Sequence, residues 1–206
     1  MGAEVLGIPT TVYHAGWEIG LGREEFFARN RAYVERLLPV LERTGVTLCV
    51  ENSTKRHYEG YYYFTDGESM REFCDSIAHP LFGACWDTGH ANIDGDQYRH
   101  IVALGKHLKA LHINDNLGGC DQHLHPFMGT LNIDEVMHAL LDIGYEGYFT
   151  FESCSSVIRS NNWLHQRRAY PSDTRALEPS LAVARKLCEL TRVIGEDILS
   201  RYRCLD

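Results

Sequence analysis

No stretch of the chain approaches the ~18 uninterrupted apolar residues that a membrane-spanning helix needs. The first residues, Met1-Gly2-Ala3-Glu4, offer neither a basic region nor an apolar core, so no secretory leader is expected. Leu6 stands where a myristoylation signal would need Ser or Thr. Internal repeats and low-complexity tracts are also missing. Basic residues are scarce, with 20 Lys and Arg against 28 Asp and Glu and a net charge of -8. Such a chain repels a phosphate backbone, which counts against duplex binding and leaves room for a small neutral or metal-bound substrate. The seven cysteines, at positions 49, 74, 85, 120, 154, 188 and 204, include no CxxC pair. An odd count with several members inside apolar runs reads as buried free thiols in a reducing cytoplasm.

What is present is the make-up of one globular domain: 206 residues, 44% apolar and 23% charged. That excludes a disordered chain, a collagen and a coiled coil. Apolar, β-branched runs with the character of buried parallel strands fall at residues 10–14, 46–51, 82–87, 110–113 and 148–152. Helical periodicity lies between them. Residues 24–41 place Phe27, Val34, Leu37, Leu38 and Leu41 on one face, with a kink expected at Pro39 and a stop at Gly45. Met70, Phe73, Cys74 and Ile77 follow the helical spacing, and Tyr98, Ile101 and Val102 mark another helix. Asn132 caps a helix carrying Val136, Met137, Leu140 and Leu141, with Gly144 behind it. A last helix starting near Pro179 carries Leu187, Ile194 and Ile198. Strand and helix alternate, so the fold class is α/β.

The strand ends carry the chemistry. The first ends at His14, and the others run into Glu51, Asp87, His112 and Glu152. In a parallel barrel, ligands gather at the C-terminal ends of the strands, so these five side chains would converge. Three carboxylates in a partly buried site cannot all ionise unaided, and a divalent cation supplies the compensation. Taken singly, each acid also reads as a helix cap or salt-bridge partner, and each histidine as a structural residue. It is the recurrence at successive strand ends that points to a metal. Two short motifs add to it. Asp87-Thr88-Gly89-His90 brings a second imidazole three residues after Asp87, and Asp121-Gln122-His123 follows His112 after a loop containing Gly118 and Gly119.

The segments Val50-Glu51-Asn52, Trp86-Asp87-Thr88-Gly89-His90-Ala91-Asn92, Leu111-His112-Ile113-Asn114-Asp115-Asn116, Asp121-Gln122-His123-Leu124 and Phe151-Glu152-Ser153 resemble the xylose-isomerase-like TIM-barrel superfamily. That group includes sugar phosphate isomerases and epimerases, ketose 3-epimerases, inosose dehydratases and endonuclease IV enzymes. The resemblance implies a (β/α)8 barrel type. A full barrel takes about 250 residues, so residues 1–206 are expected to form a single domain of the C-terminal five βα units, lacking about three N-terminal units. An open sheet edge would then invite pairing with another chain, and a homo-oligomer is one outcome of that.

By position, the resemblance implies that Glu51, Asp87, His112 and Glu152 are the metal ligands, with Glu51 and Glu152 also the proton-transferring pair. It implies substrate contact or a second metal at His90, and further zinc ligands at His14, Asp121 and His123. Two departures stand out: His125-Pro126-Phe127-Met128-Gly129 replaces a Pro-Gly-x-Gly turn, and Gly118 stands where ketose 3-epimerases place an arginine.

The implied reaction is metal-dependent isomerisation or epimerisation of a sugar or sugar phosphate through an enediolate, by proton transfer next to a carbonyl. The oxygen-rich tetrad suits Mn²⁺, Mg²⁺ or Co²⁺, and recruitment of the further histidines would favour Zn²⁺. Trp17 and the aromatics at 61–64 read either as a stacking surface for a sugar or as packing under a loop. The arginines Arg159, Arg167 and Arg168, in a long connection after Ser153, read either as a phosphate clamp or as a solvated surface. The alternatives are a zinc-dependent phosphodiesterase of the endonuclease IV type and a catalytically inactive partial barrel.

Overall fold

A computed structural model of the chain describes residues 2–153 and 180–202. A short helix α1 (Gly2–Leu6) leads into strand β1 (Thr10–Tyr13) and helix α2 (Arg23–Thr44). Strand β2 (Thr47–Glu51), helix α3 (Gly67–Ile77) and strand β3 (Phe82–Asp87) follow. After them come helices α4 (Thr88–Asp94) and α5 (Gln97–Leu104), strand β4 (Leu108–His112), and helices α6 (Ile133–Asp142) and α7 (Leu181–Tyr202).

The four strands form one parallel sheet in chain order. Parallel neighbours need crossovers, and helices α2, α3 and α5 supply them. These helices pack side by side, α2 on α3, α3 on α5 and α5 on α6. The sheet is the curled half of a barrel. Among the described residues β1 pairs only with β2.

The core lies between the sheet and this helical layer. Phe26, Phe64 and Phe73 are fully buried and stack on one another, with ring centroids 4.7–4.9 Å apart for Phe26–Phe64 and Phe64–Phe73. Trp86 is also fully buried and donates its indole N–H to Gln97 Oε1 at 2.9 Å, so its one polar atom is satisfied.

Most expected elements fall where the periodicity put them. Helix α2 ends at Gly45, which takes the left-handed conformation (φ 69°) and donates its N–H to Leu41 O at 2.8 Å. It runs through Pro39 as one helix, with Val34 and Leu41 buried on either side. Asn132 caps α6 by accepting from Glu135 N.

Other expectations are corrected. Residues 148–152 do not form a strand. They touch the sheet at one parallel bridge, Ile113 to Phe151, through Ile113 N donating to Thr150 O and Glu152 N donating to Ile113 O. Tyr98 and Val102 of α5 are exposed, and only Ile101 of that trio is buried. Helices α1 and α4 carry too few residues to show a period. Cys49, Cys74 and Cys85 are buried free thiols as expected, but Cys120 and Cys188 are exposed. Cys154 and Cys204 lie outside the described residues, as do Arg159, Arg167 and Arg168. No described helix is long and apolar enough to cross a membrane.

Candidate metal centre

Register assembles the site. Alternation along a strand puts Cys49 and Glu51 of β2 on one face, and likewise Cys85 and Asp87 of β3. Pairing sets Glu51 opposite Cys85 and Asp87 opposite His112. Tyr13 pairs with Val50, so the next residues, His14 and Glu51, fall side by side, with His14 Nε2 3.4 Å from Glu51 Oε2. The Phe151 bridge delivers Glu152. Glu51, Asp87, His112 and Glu152 thus offer one ligand atom each, all within 4.8 Å of one another.

Asp87 has two local jobs. It ends β3 and caps α4, its Oδ1 accepting from His90 N at 2.7 Å. That tight turn brings the His90 ring back over the strand ends. His90 Nδ1 donates to Asn52 O at 2.9 Å and lies 3.6 Å from Asp87 Oδ1, while Nε2 lies 3.4 Å from Asp121 Oδ2. His123 Nδ1 donates to Glu152 O at 2.8 Å, and its Nε2 lies 2.9 Å from Asp121 Oδ2. One nitrogen of His112, Nδ1, lies between two carboxylates, 2.9 Å from Glu51 Oε1 and 3.0 Å from Glu152 Oε2.

The charges do not balance from within. Burial, only partly offset by the His90 charge, pushes the Asp87 carboxyl up to about 7, with Glu51, Glu152 and Asp121 adding to the rise. Burial also opposes a charged His112, but the Cys85 sulfur and the two glutamates outweigh it and raise the imidazole strongly. Burial would raise Glu152 too, yet the His112 hydrogen bond holds it down near about 2. Among the described residues, the ion-pair partners of Glu51, Asp87 and Glu152 are all imidazoles. Three acids and one imidazole around a common point form a donor set that fits a hard divalent cation.

His14, Glu51, Asp87, His90, His112, Asp121, His123 and Glu152 all reach this centre. Of the aromatics at 61–64, Phe64 is instead fully buried in the core and Tyr63 donates its hydroxyl proton to Leu21 O at 2.9 Å. His14, His90, Asp121 and His123 form a second layer around the tetrad. Trp17 stands farther out, its ring 5.0 Å from Tyr58, which in turn stands 6.4 Å from His14. It lines a cleft of ≈ 440 Å³ together with Tyr13, His14 and Leu21.

Sequence reasoning missed one contributor, His57, and read another, Tyr62, only as a stacking or packing aromatic. The His57 ring stands 5.5 Å from that of His90, and burial together with the His90 charge lowers its pKa. A histidine six residues past a strand-end glutamate was the available signal. Tyr62 donates its hydroxyl proton to Glu51 O at 2.7 Å and accepts from Ala15 N at 3.1 Å. It thereby ties the ends of β1 and β2 together.

Comparison with known proteins bears on the family and the fold. The family described as Xylose isomerase-like TIM barrel matches residues 3–198. An L-ribulose 3-epimerase of a Methylomonas species is 30% identical over 161 residues, 76% of this chain and 52% of that protein. A probable endonuclease 4 of Geobacter sulfurreducens is 31% identical over 147 residues, 63% of this chain and 48% of its own length. The chain spans about half the length of the curated relatives it matches. A solved L-ribulose 3-epimerase superposes with a TM-score of 0.72 at 18% identity, over 99% of this chain and 67% of the other, and so shares the fold.

Proposed function

The chain belongs to the xylose isomerase-like TIM barrel family, and from that premise we propose that it is a divalent-metal-dependent isomerase or epimerase acting on a sugar or sugar phosphate. The observation that carries this reading is the convergence of Glu51, Asp87, His112 and Glu152 from four separate segments within 4.8 Å. These residues would hold Mn²⁺, Mg²⁺ or Co²⁺. When bound, the cation supplies Lewis acidity that steadies negative charge on a carbonyl oxygen.

The chain's own residues do the rest. Glu51 comes from β2 and Glu152 from the Phe151 segment, so a substrate held at the cation would meet a carboxylate from either side. One removes the proton next to the carbonyl, giving an enediolate, and the other returns a proton. Return to the adjacent carbon isomerises, and return to the opposite face of the same carbon epimerises. Asp87 and His112 set the distance between the two bases. His90 and Trp17 are proposed to contact the substrate, His90 from within the second layer and Trp17 from the rim.

A second reading rests on the outer layer of His14, His90, Asp121 and His123, which with the tetrad would hold several Zn²⁺ for phosphodiester cleavage. The net charge of -8 counts against a nucleic-acid substrate.

The test is proton exchange. Protein loaded with Mn²⁺ is incubated in deuterated water with a panel of ketoses and ketose phosphates. Deuterium entering a carbon next to the carbonyl, and absent with Glu152→Gln, supports the proposal. No exchange into any panel member, alongside zinc-dependent cleavage of abasic DNA, overturns it.

A further inference from the structure

Asn114 carries an observation that the proposed chemistry does not use. Its side chain is fully buried, and Nδ2 donates to Asp87 Oδ2 at 2.8 Å. Its own Oδ1 is buried and, among the described residues, has no hydrogen-bond partner. A buried carbonyl without a donor is unfavourable, and a leucine would fill similar space without that orphan. What the amide provides in exchange is the bond to Asp87. With Asp87 ionised, as a metal ligand must be, the flipped amide would set oxygen against oxygen, so Nδ2 is the atom that faces it.

Neighbours hold this amide in place. Thr88 Oγ1 grips the Asn114 backbone from both sides, accepting from Asn114 N at 3.0 Å and donating to Asn114 O at 2.7 Å. Gly89 makes the space, because a Cβ there would come within 1.8 Å of Asn114 Oδ1. Asn114 also lies two residues past His112, on the segment that delivers that imidazole, and Ile113 between them is buried in the core.

We infer that Asn114 is a positioning residue: it fixes the plane of the Asp87 carboxylate, whose other oxygen is already held by His90 N, so that the four donors face a cation in one arrangement. This rests on the metal reading of the tetrad. Fixing a carboxylate ligand through a neighbour's hydrogen bond changes affinity without changing the ligand set.

The experiment uses the full chain, stripped with chelator and titrated with Co²⁺ (followed by its visible absorption) and separately with Mn²⁺. The variants are Asn114→Leu, which keeps the size and removes the donor, and Gly89→Ala, which displaces the amide and leaves Asn114 in place. Far-UV circular dichroism establishes that each is folded. Both are expected to bind 10- to 100-fold more weakly, an effect on the order of other losses of such supporting bonds, with an altered Co²⁺ spectrum. Folded variants that bind within about threefold of the unaltered chain, with its spectrum, overturn the positioning role alone. Failure of the unaltered chain to bind either metal overturns the metal reading and this role with it.

Discussion

Replacing Asp87 by Asn should stabilise the metal-free protein while removing its metal site. The Asp87 carboxyl is fully buried and raised from 3.8 to about 7. Between those values the native state holds a proton that the unfolded chain has released, so wild-type stability falls as pH rises from about 4 to 7. Once ionised, the buried group costs at most about 4 kcal/mol. Asn carries no such charge and keeps the acceptor for His90 N. Its new N–H group faces Asn114, whose unpartnered Oδ1 can turn to receive it. The net gain is about 2–4 kcal/mol above pH 7, shrinking toward zero near pH 4. For a chain of this size that is a rise in Tm of about 5–10 °C. Thermal melts in chelator from pH 4.5 to 8.5 measure it. A variant less stable than wild type at pH 8, or a gap that does not change with pH, would refute the reasoning.

Further outcomes follow from the same structure. Glu152→Gln should lower proton exchange by about 10²–10⁴-fold with the far-UV spectrum unchanged, and near-normal exchange would remove Glu152 from the base pair. Added Mn²⁺ should raise the wild-type Tm more at pH 8 than at pH 5.5, because a proton on Asp87, lost near about 7, competes with the cation; a pH-independent gain would contradict that competition. Phe73→Ala should cost about 3–5 kcal/mol in urea unfolding, since Phe73 is fully buried among Phe27, Phe64 and Phe82; a loss below about 1 kcal/mol would mean that this part of the core collapses around the gap.

The tetrad was legible in the sequence because burial on both faces gives parallel strands continuous apolar runs, which makes a terminal acid conspicuous. Glu51 and Asp87 ended such runs, and pairing brought them together as expected. The Phe149-Thr150-Phe151 run promised a strand in the same way. Among the described residues its pairing is one bridge, Ile113 to Phe151. Periodicity could not reveal α4, since Asp87 closes a strand and caps a helix without an intervening residue. His57 and the strand-tying hydrogen bonds of Tyr62 were hidden for a different reason. Both residues reach the site from a loop, where neither a period of two nor one of 3.6 labels the inward face. The role of Asn114 depends on an orphaned atom and a missing Cβ, which only three-dimensional contact exposes.

The central claim is that Glu51, Asp87, His112 and Glu152 hold a single divalent cation. Its most direct test is elemental analysis and metal titration of the chain purified without chelator, beside His112→Ala and Glu51→Gln. The account predicts about one Mn, Mg or Co per wild-type chain, the stoichiometry of one four-ligand site, and loss of that metal in both variants. Two or three zinc ions per chain, or metal retained by both variants, would contradict it.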